Sequence, residues 1–406
     1  MNQSNIYMNF SKQSEAFIKK LNIKSMPKIG KKETHIKHLY RLLLDAHNRV
    51  KALEIVPKMS KINNVKDIVI PSGFNSKFIP EIIRESILME SSYSITYEHE
   101  INNRKIRIYF TCMDLNVDKD MSKYVEYIRT ILMWFDLISH YSTNAFCNRV
   151  SIHLFMTDFK KEMPKSSVDV IDVINVNSGL SDVCQRDSEI IIYRKEEWLK
   201  VLIHETFHNL GLEFSSMNIY DFQENIRKLF PIESNLALYE TWAESWAVII
   251  NVGICAFFLL DDKNDEKDFV LYYEFLFLYE KMYSCFQLVK VLNHMGLTYD
   301  LLIMKDTENV VNKLYKEKTN VFAYYILKFI VIYDHIGFLS WCKKNNPHWI
   351  KFLQTKENLK SFFNYIKRMY KRQDLLNLVR SVEMFYKKEK STELKQTLRM
   401  TLTEIL

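Results

Sequence analysis

The chain has 406 residues, of which 48% are hydrophobic and 26% charged, a composition typical of globular proteins and unlike that of disordered chains. Its 7 Gly and 7 Pro exclude a collagen-like or linker-rich architecture, and its 6 isolated Cys form no CxxC pair of the kind that holds zinc. The first twenty residues lack the basic stretch and apolar core of a secretory signal. We therefore expect an intracellular protein with free thiols, which is not secreted.

The net charge of +7 is unevenly distributed, because the stretch from Lys351 to Met400 carries thirteen Lys and Arg against five Asp and Glu. One interpretation is an anionic partner, such as a nucleic acid or a membrane surface. The other is the solvated face of C-terminal helices, because Leu and Phe interleave with the charges at helical spacing. We favour the second interpretation and keep the first open.

The first half of the chain predicts a few helices and a small sheet. Two segments at 94–101 and 104–112 alternate polar and apolar residues around Asn102-Asn103, which indicates a β-hairpin with a tight turn. In the first predicted helix, at 12–22, Phe17, Ile18 and Leu21 share a face. Helices are expected at 12–22, 34–54, 79–90, 119–140 and 195–210, strands at 149–156 and 188–193, an extended segment at 169–179, and a loop between the second and third helices.

The second half predicts almost only helices, with a break at 261–268. The longest apolar run, from Trp246 to Leu260, is shorter than the roughly twenty residues that a membrane span needs. We expect it to be a buried helix and expect no transmembrane segment. The helices are predicted at 220–229, 235–260, 266–294, 308–315, 319–344, 347–355, 357–372, 374–388 and 391–404.

One motif in this sequence carries chemistry. His204, Glu205 and His208 form an HExxH pattern on a predicted helix, after a predicted strand and the apolar residues 201–203. Residues i and i+4 lie on one helix face, so both imidazoles can bind a single zinc ion. The intervening Glu can take a proton from a zinc-activated water and pass it to a leaving amine. We therefore predict zinc ligands at His204 and His208 and a general base at Glu205.

A catalytic zinc needs a third protein ligand. The motif continues with Gly211, as in one class of zinc peptidases, but Phe214 stands where that class has its third His, so Gly211 is better explained as a helix C-cap. Downstream, Glu240 and Glu244 share one face of an otherwise apolar helix, where two carboxylates are costly unless a cation or donor meets them. Other acids between the two motifs could replace Glu240, namely Glu213, Asp221, Glu224 and Glu233.

These two motifs resemble those of the gluzincins, the metallopeptidase clan that includes thermolysin. By that resemblance Glu240 is the third ligand of one Zn²⁺ per chain, and Glu244 accepts a hydrogen bond from a ligand His, where the clan usually has Asp. The resemblance implies a metalloendopeptidase-like hydrolase that acts on a peptide or protein. The predicted elements indicate an α+β, mostly helical fold, with an N-terminal helical region at 1–90, a middle domain at 91–262 that holds the small sheet, and a helical C-terminal domain at 263–406. The resemblance implies that the middle domain is a zincin-like catalytic domain.

A narrower resemblance is carried by residues 189–215 and by YETWAESWA at 239–247. These runs are similar to those of uncharacterised peptidase-like proteins encoded by large DNA viruses of eukaryotes. The similarity implies a viral protein in the host cytoplasm or the virion.

The expected mechanism needs two further features of the site. A tetrahedral intermediate usually receives a hydrogen bond from a His, Tyr or Arg, and the candidates are Tyr324, Tyr325 and His335. Zincins also pair an extended substrate with an edge strand near the active-site helix. That strand is expected at Ile174, Asn175, Val176, Asn177, Ser178 and Gly179.

Two other functions stay open from the sequence. The chain could be a scaffold that keeps its zinc site without useful turnover, which the intact Glu205 argues against. It could instead be a basic helical protein that associates with nucleic acid or membrane and needs no metal.

Overall fold

The computed structural model describes residues 12–21, 33–142 and 147–404, and it confirms an α+β, mostly helical fold with one mixed sheet. The strands are β1 Lys58–Lys61, β2 Tyr93–Ile101, β3 Arg104–Cys112, β4 Arg149–Met156, β5 Gly179–Ser181 and β6 Asp187–Ile192. The helices of the first half are α1 Lys12–Leu21, α2 Thr34–Val50, α3 Glu81–Glu90, α4 Val117–Ser139, α5 Val173–Val176 and α6 Trp198–Asn209.

The second half of the described chain is helical, as the sequence predicts. Its helices are α7 Tyr220–Arg227, α8 Tyr239–Leu259, α9 Glu266–His294, α10 Tyr299–Ile303, α11 Glu308–Leu314, a π-helical turn Phe322–Leu327 that continues into α12 Lys328–Ile332, α13 His335–Asn345, α14 Lys356–Met369, α15 Gln373–Lys388 and α16 Thr392–Gln396. Short 3₁₀ turns lie at Val65–Asp67, Ser72–Asn75 and Lys305–Thr307.

The sheet leads the chain into α6. Its strand order is β1-β2-β3-β4-β6-β5, with β3, β4 and β6 parallel and β5 antiparallel to β6 at one edge. The predicted hairpin is confirmed: Asn102 and Asn103 have φ of 50° and 61°, which a two-residue turn of this hand requires. β6 is the strand next to the edge strand β5, it leads into α6, and this helix packs against β5, β6 and α8.

Four predicted elements differ from the structure. A single helix at 319–344 is interrupted near Asp334, whose carboxylate caps α13 through the Gly337 amide, and the two helical pieces meet at 91°. Residues 347–355 are irregular, because Asn346 and the Leu212 carbonyl accept the backbone amides that a helix would use. The helix predicted at 391–404 ends at Gln396, and the loop predicted before α3 contains the edge strand β1.

A fifth correction concerns the predicted substrate strand. Ile174, Asn175 and Val176 belong to the helical turn α5 and are not extended. Asp172 accepts the Val173 amide at 2.6 Å, and Asn175 accepts the Asp172 amide at 2.9 Å. This reciprocal cap outweighs the β-propensity of the segment. The strand at the sheet edge is the shorter β5, which begins at Gly179.

One hydrophobic core spans the described chain from Phe17 to Leu402. It includes buried residues from all three predicted regions, so these regions pack together, and the domain boundaries stay a prediction. Residue 22 of the first predicted helix, residues 1–11 and residues 405–406 lie outside the described part, as does the side chain of Leu21. A second cluster around Phe74, Ile83 and Phe155 covers the opposite face of the sheet.

Among the described residues, α8 is long and apolar enough to cross a membrane by length and composition. Within the protein, 89% of its most apolar window is buried. The helix pair at Phe322–Ile332 and His335–Asn345 passes the same test only if the bent pair is taken together. This burial agrees with a core helix at Trp246–Leu260, and the absence of a membrane span stays a prediction.

Gly211 ends α6 as the sequence predicts. It has φ of +62°, the Gly211 amide bonds to the His208 carbonyl, and the Leu212 amide bonds to the Phe207 carbonyl, a Schellman cap. A Cβ at this position would lie 2.5 Å from the Cys184 sulfur. The cap therefore fixes the end of the helix that carries His208.

We expect Gly211→Ala to lower the free energy of unfolding by about 1–3 kcal/mol, through left-handed backbone strain and the clash with Cys184. Gly296→Ala is the matched control, because Gly296 has φ of +73° and a Cβ there would meet only Leu314 Cδ1, at an ordinary contact distance of 3.9 Å. Chemical denaturation of both variants measures the difference. Equal costs at the two positions would show that the Cys184 contact contributes nothing.

Candidate metal centre

Three predicted ligands converge at the junction of α6 and α8. Glu240 Oε2 lies 3.1 Å from His204 Nε2 and 3.2 Å from His208 Nε2, and the two Nε2 atoms are 3.1 Å apart. Among the described residues this is the group of His, Cys and acidic side chains that could hold a metal ion. All three side chains are largely buried.

The donor set fits a zinc ion. Zinc binds His nitrogen and carboxylate oxygen at about 2.0–2.2 Å in tetrahedral geometry, which puts neighbouring donor atoms about 3.3 Å apart. The three observed separations are close to that value.

Each imidazole also has a carboxylate on its other side. His204 Nδ1 lies 2.9 Å from Glu244 Oε2, and His208 Nδ1 lies 3.5 Å from Glu213 Oε1. Such partners fix the tautomer and leave Nε2 free to bind metal. Glu213 therefore lies where it can orient His208, a role the sequence reasoning missed when it treated this acid only as an alternative ligand.

Two more polar residues complete the surroundings of the ligands. Lys200 lies one turn before His204 and donates to Glu244 Oε2 at 2.9 Å, although both side chains are buried. Asn320 donates to the second oxygen of Glu240 at 3.2 Å. The spacing of Lys200 from His204 could have suggested its position, whereas Asn320 comes from a distant segment that no sequence signal connected to the site.

The charges in the site favour an ionised Glu240. Burial acts to raise the pKa of its carboxyl, but the adjacent His208 and His204 imidazoles outweigh burial and hold the pKa well below its usual range. Burial likewise acts to lower the pKa of both imidazoles, and the neighbouring carboxylates reverse this and raise it. Because metal binding requires neutral imidazoles, it must compete with protons here.

Glu205 lies beside the ligands without joining them. Burial raises the pKa of its carboxyl, against the opposing effect of the two His. Its Oε2 accepts a hydrogen bond at 3.1 Å from Ser181 of β5, which holds the carboxylate toward the sheet edge. A carboxyl whose pKa is moved toward neutrality can both accept and return a proton.

The three candidate hydrogen-bond donors to the tetrahedral intermediate lie at different distances from the cavity. Tyr324 lines the small cavity beside His204 and Glu205, with its ring centroid 5.9 Å from that of His204. Tyr325 points elsewhere and donates its hydroxyl to the Leu398 carbonyl at 2.6 Å. His335 stacks on Phe277 at 3.9 Å, outside the residues that line this cavity.

The remaining sequence candidates also divide. Val176, Asn177, Ser178 and Gly179 line the cavity beside Glu205, and a Cβ at Gly179 would lie 3.1 Å from Glu205 Cγ. Ile174 is not among the residues that line this cavity, and its carbonyl accepts a hydrogen bond from Arg194 at 2.6 Å. The alternative ligands Asp221, Glu224 and Glu233 are not part of the candidate metal group.

We expect Glu244→Gln to lower zinc affinity by about 10–100-fold, the usual effect of removing a carboxylate that orients a ligand His. Glu213→Gln is expected to have a smaller effect, because its contact with His208 is longer. Competition with a chromophoric chelator measures both affinities. Glu224→Gln is the control, since Glu224 pairs with Arg227 outside the metal group, and an unchanged affinity in Glu244→Gln would contradict the proposed orienting role.

Comparison of the chain with protein-family models, curated proteins and solved structures finds no match in any of the three.

Proposed function

We propose that this protein is a zinc-dependent metallopeptidase of the gluzincin type. The observation that carries the proposal is the convergence of His204, His208 and Glu240 donor atoms beside the buried carboxylate of Glu205. A structural zinc site is closed by four protein ligands, whereas a catalytic site keeps a position open. Three donors and an adjacent acid of raised pKa match the catalytic arrangement.

The proposed reaction is hydrolysis of a peptide bond. A zinc ion in this site would polarise the scissile carbonyl and lower the pKa of a water molecule. Glu205 accepts a proton from the attacking water as the new C–O bond forms. It returns that proton to the amide nitrogen as the C–N bond breaks, which leaves a carboxylic acid and an amine.

Tyr324 is the best-placed of the three candidate donors for the developing oxyanion. It lines the cavity with Glu205, whereas the hydroxyl of Tyr325 is occupied by the Leu398 carbonyl. Burial raises the pKa of the Tyr324 hydroxyl well above its usual value, with Glu240 acting in the same direction. The phenol therefore stays protonated and can donate a hydrogen bond.

The free edge of β5 offers the substrate a backbone partner. Within the described part of the chain, β5 pairs only with β6, and it begins at Gly179, whose missing side chain leaves room beside Glu205. An extended peptide can add to such an edge through main-chain hydrogen bonds. This supports Gly179 and the adjoining Asn177 and Ser178 as the substrate-facing part of the predicted edge segment.

The test is metal-dependent peptide cleavage by purified protein. The full chain, loaded with one equivalent of Zn²⁺, is incubated with a diverse mixture of synthetic peptides, and new termini are identified by mass spectrometry. We expect cleavage that stops when a chelator removes the metal and returns when Zn²⁺ is restored. Cleavage that persists in the stripped protein, or none in the zinc-loaded protein, would contradict the proposal.

A further inference from the structure

The C-terminal segment at 397–404 is irregular and buried, and it reaches the cavity beside Glu205 through Met400. Side chains from distant helices satisfy its backbone. Glu197 accepts the amides of Met400 and Thr401 at 2.7 and 2.6 Å, and Lys328 donates to the Met400 carbonyl at 3.1 Å. These buried, charge-assisted hydrogen bonds fix the position of Met400.

Met400 is the residue of this segment that lines the cavity. Its sulfur lies 3.5 Å from Lys200 Nζ, and the residue is 3% exposed. Lys200 in turn holds Glu244, the partner of His204. The chain's last described residues therefore form one wall of the space next to the candidate metal ligands.

The cavity is small, and polar and apolar residues both line it. Its volume is about 30 Å³, close to the space for one water molecule. Ser178 lines it, and the buried hydroxyl of Ser178 has no hydrogen-bond partner among the described residues. Lys161 also lines it, and the structure gives its ammonium one partner, Glu197 at 2.8 Å, although an ammonium carries three donors.

We propose that Met400 is a specificity-determining residue, which limits the substrate residue entering this cavity to Gly, Ala or Ser. The inference rests on the proposed peptidase function. A short side chain fills the available space, and a longer one meets the Met400 side chain. Ser is preferred over Ala, because its hydroxyl reaches the unpartnered Ser178 and the Lys161 ammonium.

The experiment maps cleavage preferences with a peptide library that varies the residues on both sides of the scissile bond. Wild-type protein is compared with Met400→Ala, Met400→Val, Met400→Leu and Ser178→Ala. Met384→Ala is the control, because Met384 is an exposed methionine of α15. Zinc content and thermal melting are measured for every variant, so that loss of the fold is separated from a change in preference.

We expect wild type to require Gly, Ala or Ser at one position next to the cleaved bond. Met400→Ala and, to a lesser extent, Met400→Val should raise kcat/KM for Leu relative to Ala at that position by at least about tenfold, the scale of discrimination by pocket volume. Met400→Leu and Met384→Ala should keep the wild-type preference. Ser178→Ala should lose the preference for Ser over Ala while keeping the size limit.

The results that contradict this inference differ from those that contradict the proposed peptidase function. Cleavage by a folded Met400→Ala protein with the wild-type size limit overturns this inference and leaves the peptidase proposal standing. If the Met400 variants do not fold, a wild-type preference for large side chains, or an unchanged Ser preference in Ser178→Ala, overturns it. Absence of cleavage by zinc-loaded wild type overturns both proposals.

Discussion

Glu205→Gln is expected to bind about one zinc per chain and to hydrolyse peptides about 10²–10⁴ times more slowly than wild type, the contribution typical of a general acid–base group. The amide keeps the size of the carboxylate and the contact with Ser181 but cannot accept the proton of the attacking water. The metal ligands and their carboxylate partners are untouched. The effect should therefore fall on kcat, with little change in zinc content.

The measurement pairs steady-state kinetics with metal analysis by mass spectrometry. Glu224→Gln serves as the control for loss of a carboxylate elsewhere, since it pairs with Arg227 outside the metal group. Equal activity in Glu205→Gln and wild type would remove Glu205 from the mechanism. Zinc bound by both proteins without hydrolysis by either would favour the scaffold interpretation.

Glu240→Ala is expected to lose most of the bound zinc, with a larger drop in affinity than the about 10–100-fold expected for the orienting carboxylates. The substitution removes one of three donor atoms and the charge that offsets the metal, and it leaves the two imidazoles 3.1 Å apart without a shared anionic partner. Hydrolysis should fall with the metal content. Wild type should carry about one zinc per chain when analysed in parallel.

Circular dichroism and thermal melting of metal-free protein control for folding in this variant. Glu233→Ala provides a second control, because Glu233 lies between the two motifs on the exposed surface. Full zinc retention by folded Glu240→Ala would mean that another acid supplies the third donor, with Glu213 and Glu244 the nearest to the imidazoles. Absence of zinc from the wild-type protein would favour the alternative of a basic helical protein that associates with nucleic acid or membrane.

The local pattern of the sequence predicts the parts of the fold that depend on neighbouring residues. The Asn102-Asn103 turn, the strand at Arg149–Met156 and the Gly211 cap agree closely with the structure. In each case the determining interaction spans a few residues, so alternation or a single conformational preference is enough.

Segments whose backbone is satisfied from a distance were predicted incorrectly. The tail after Gln396 has residues that suit a helix. Its backbone is irregular instead, because Glu197 and Lys328 bond to the amide and the carbonyl of Met400. The turn at α5 and the break at Asp334 are local, but their caps compete with apolar runs that suggested longer elements. Side chains that replace ladder or helix hydrogen bonds are hard to recognise before the fold is known.

The sequence by itself determined the spacing of His204, Glu205 and His208, because a helix brings residues i and i+4 to one face regardless of the rest of the chain. It also indicated Glu240 and Glu244, since two acids on an apolar helix need a buried partner. Only the tertiary structure brings α8 against α6 and places Glu213 beside His208. It also shows that Tyr324 and Met400 line the cavity, whereas Tyr325 bonds to the Leu398 carbonyl. Those positions depend on packing between segments far apart in the chain, and packing of that kind leaves no periodic mark on either segment.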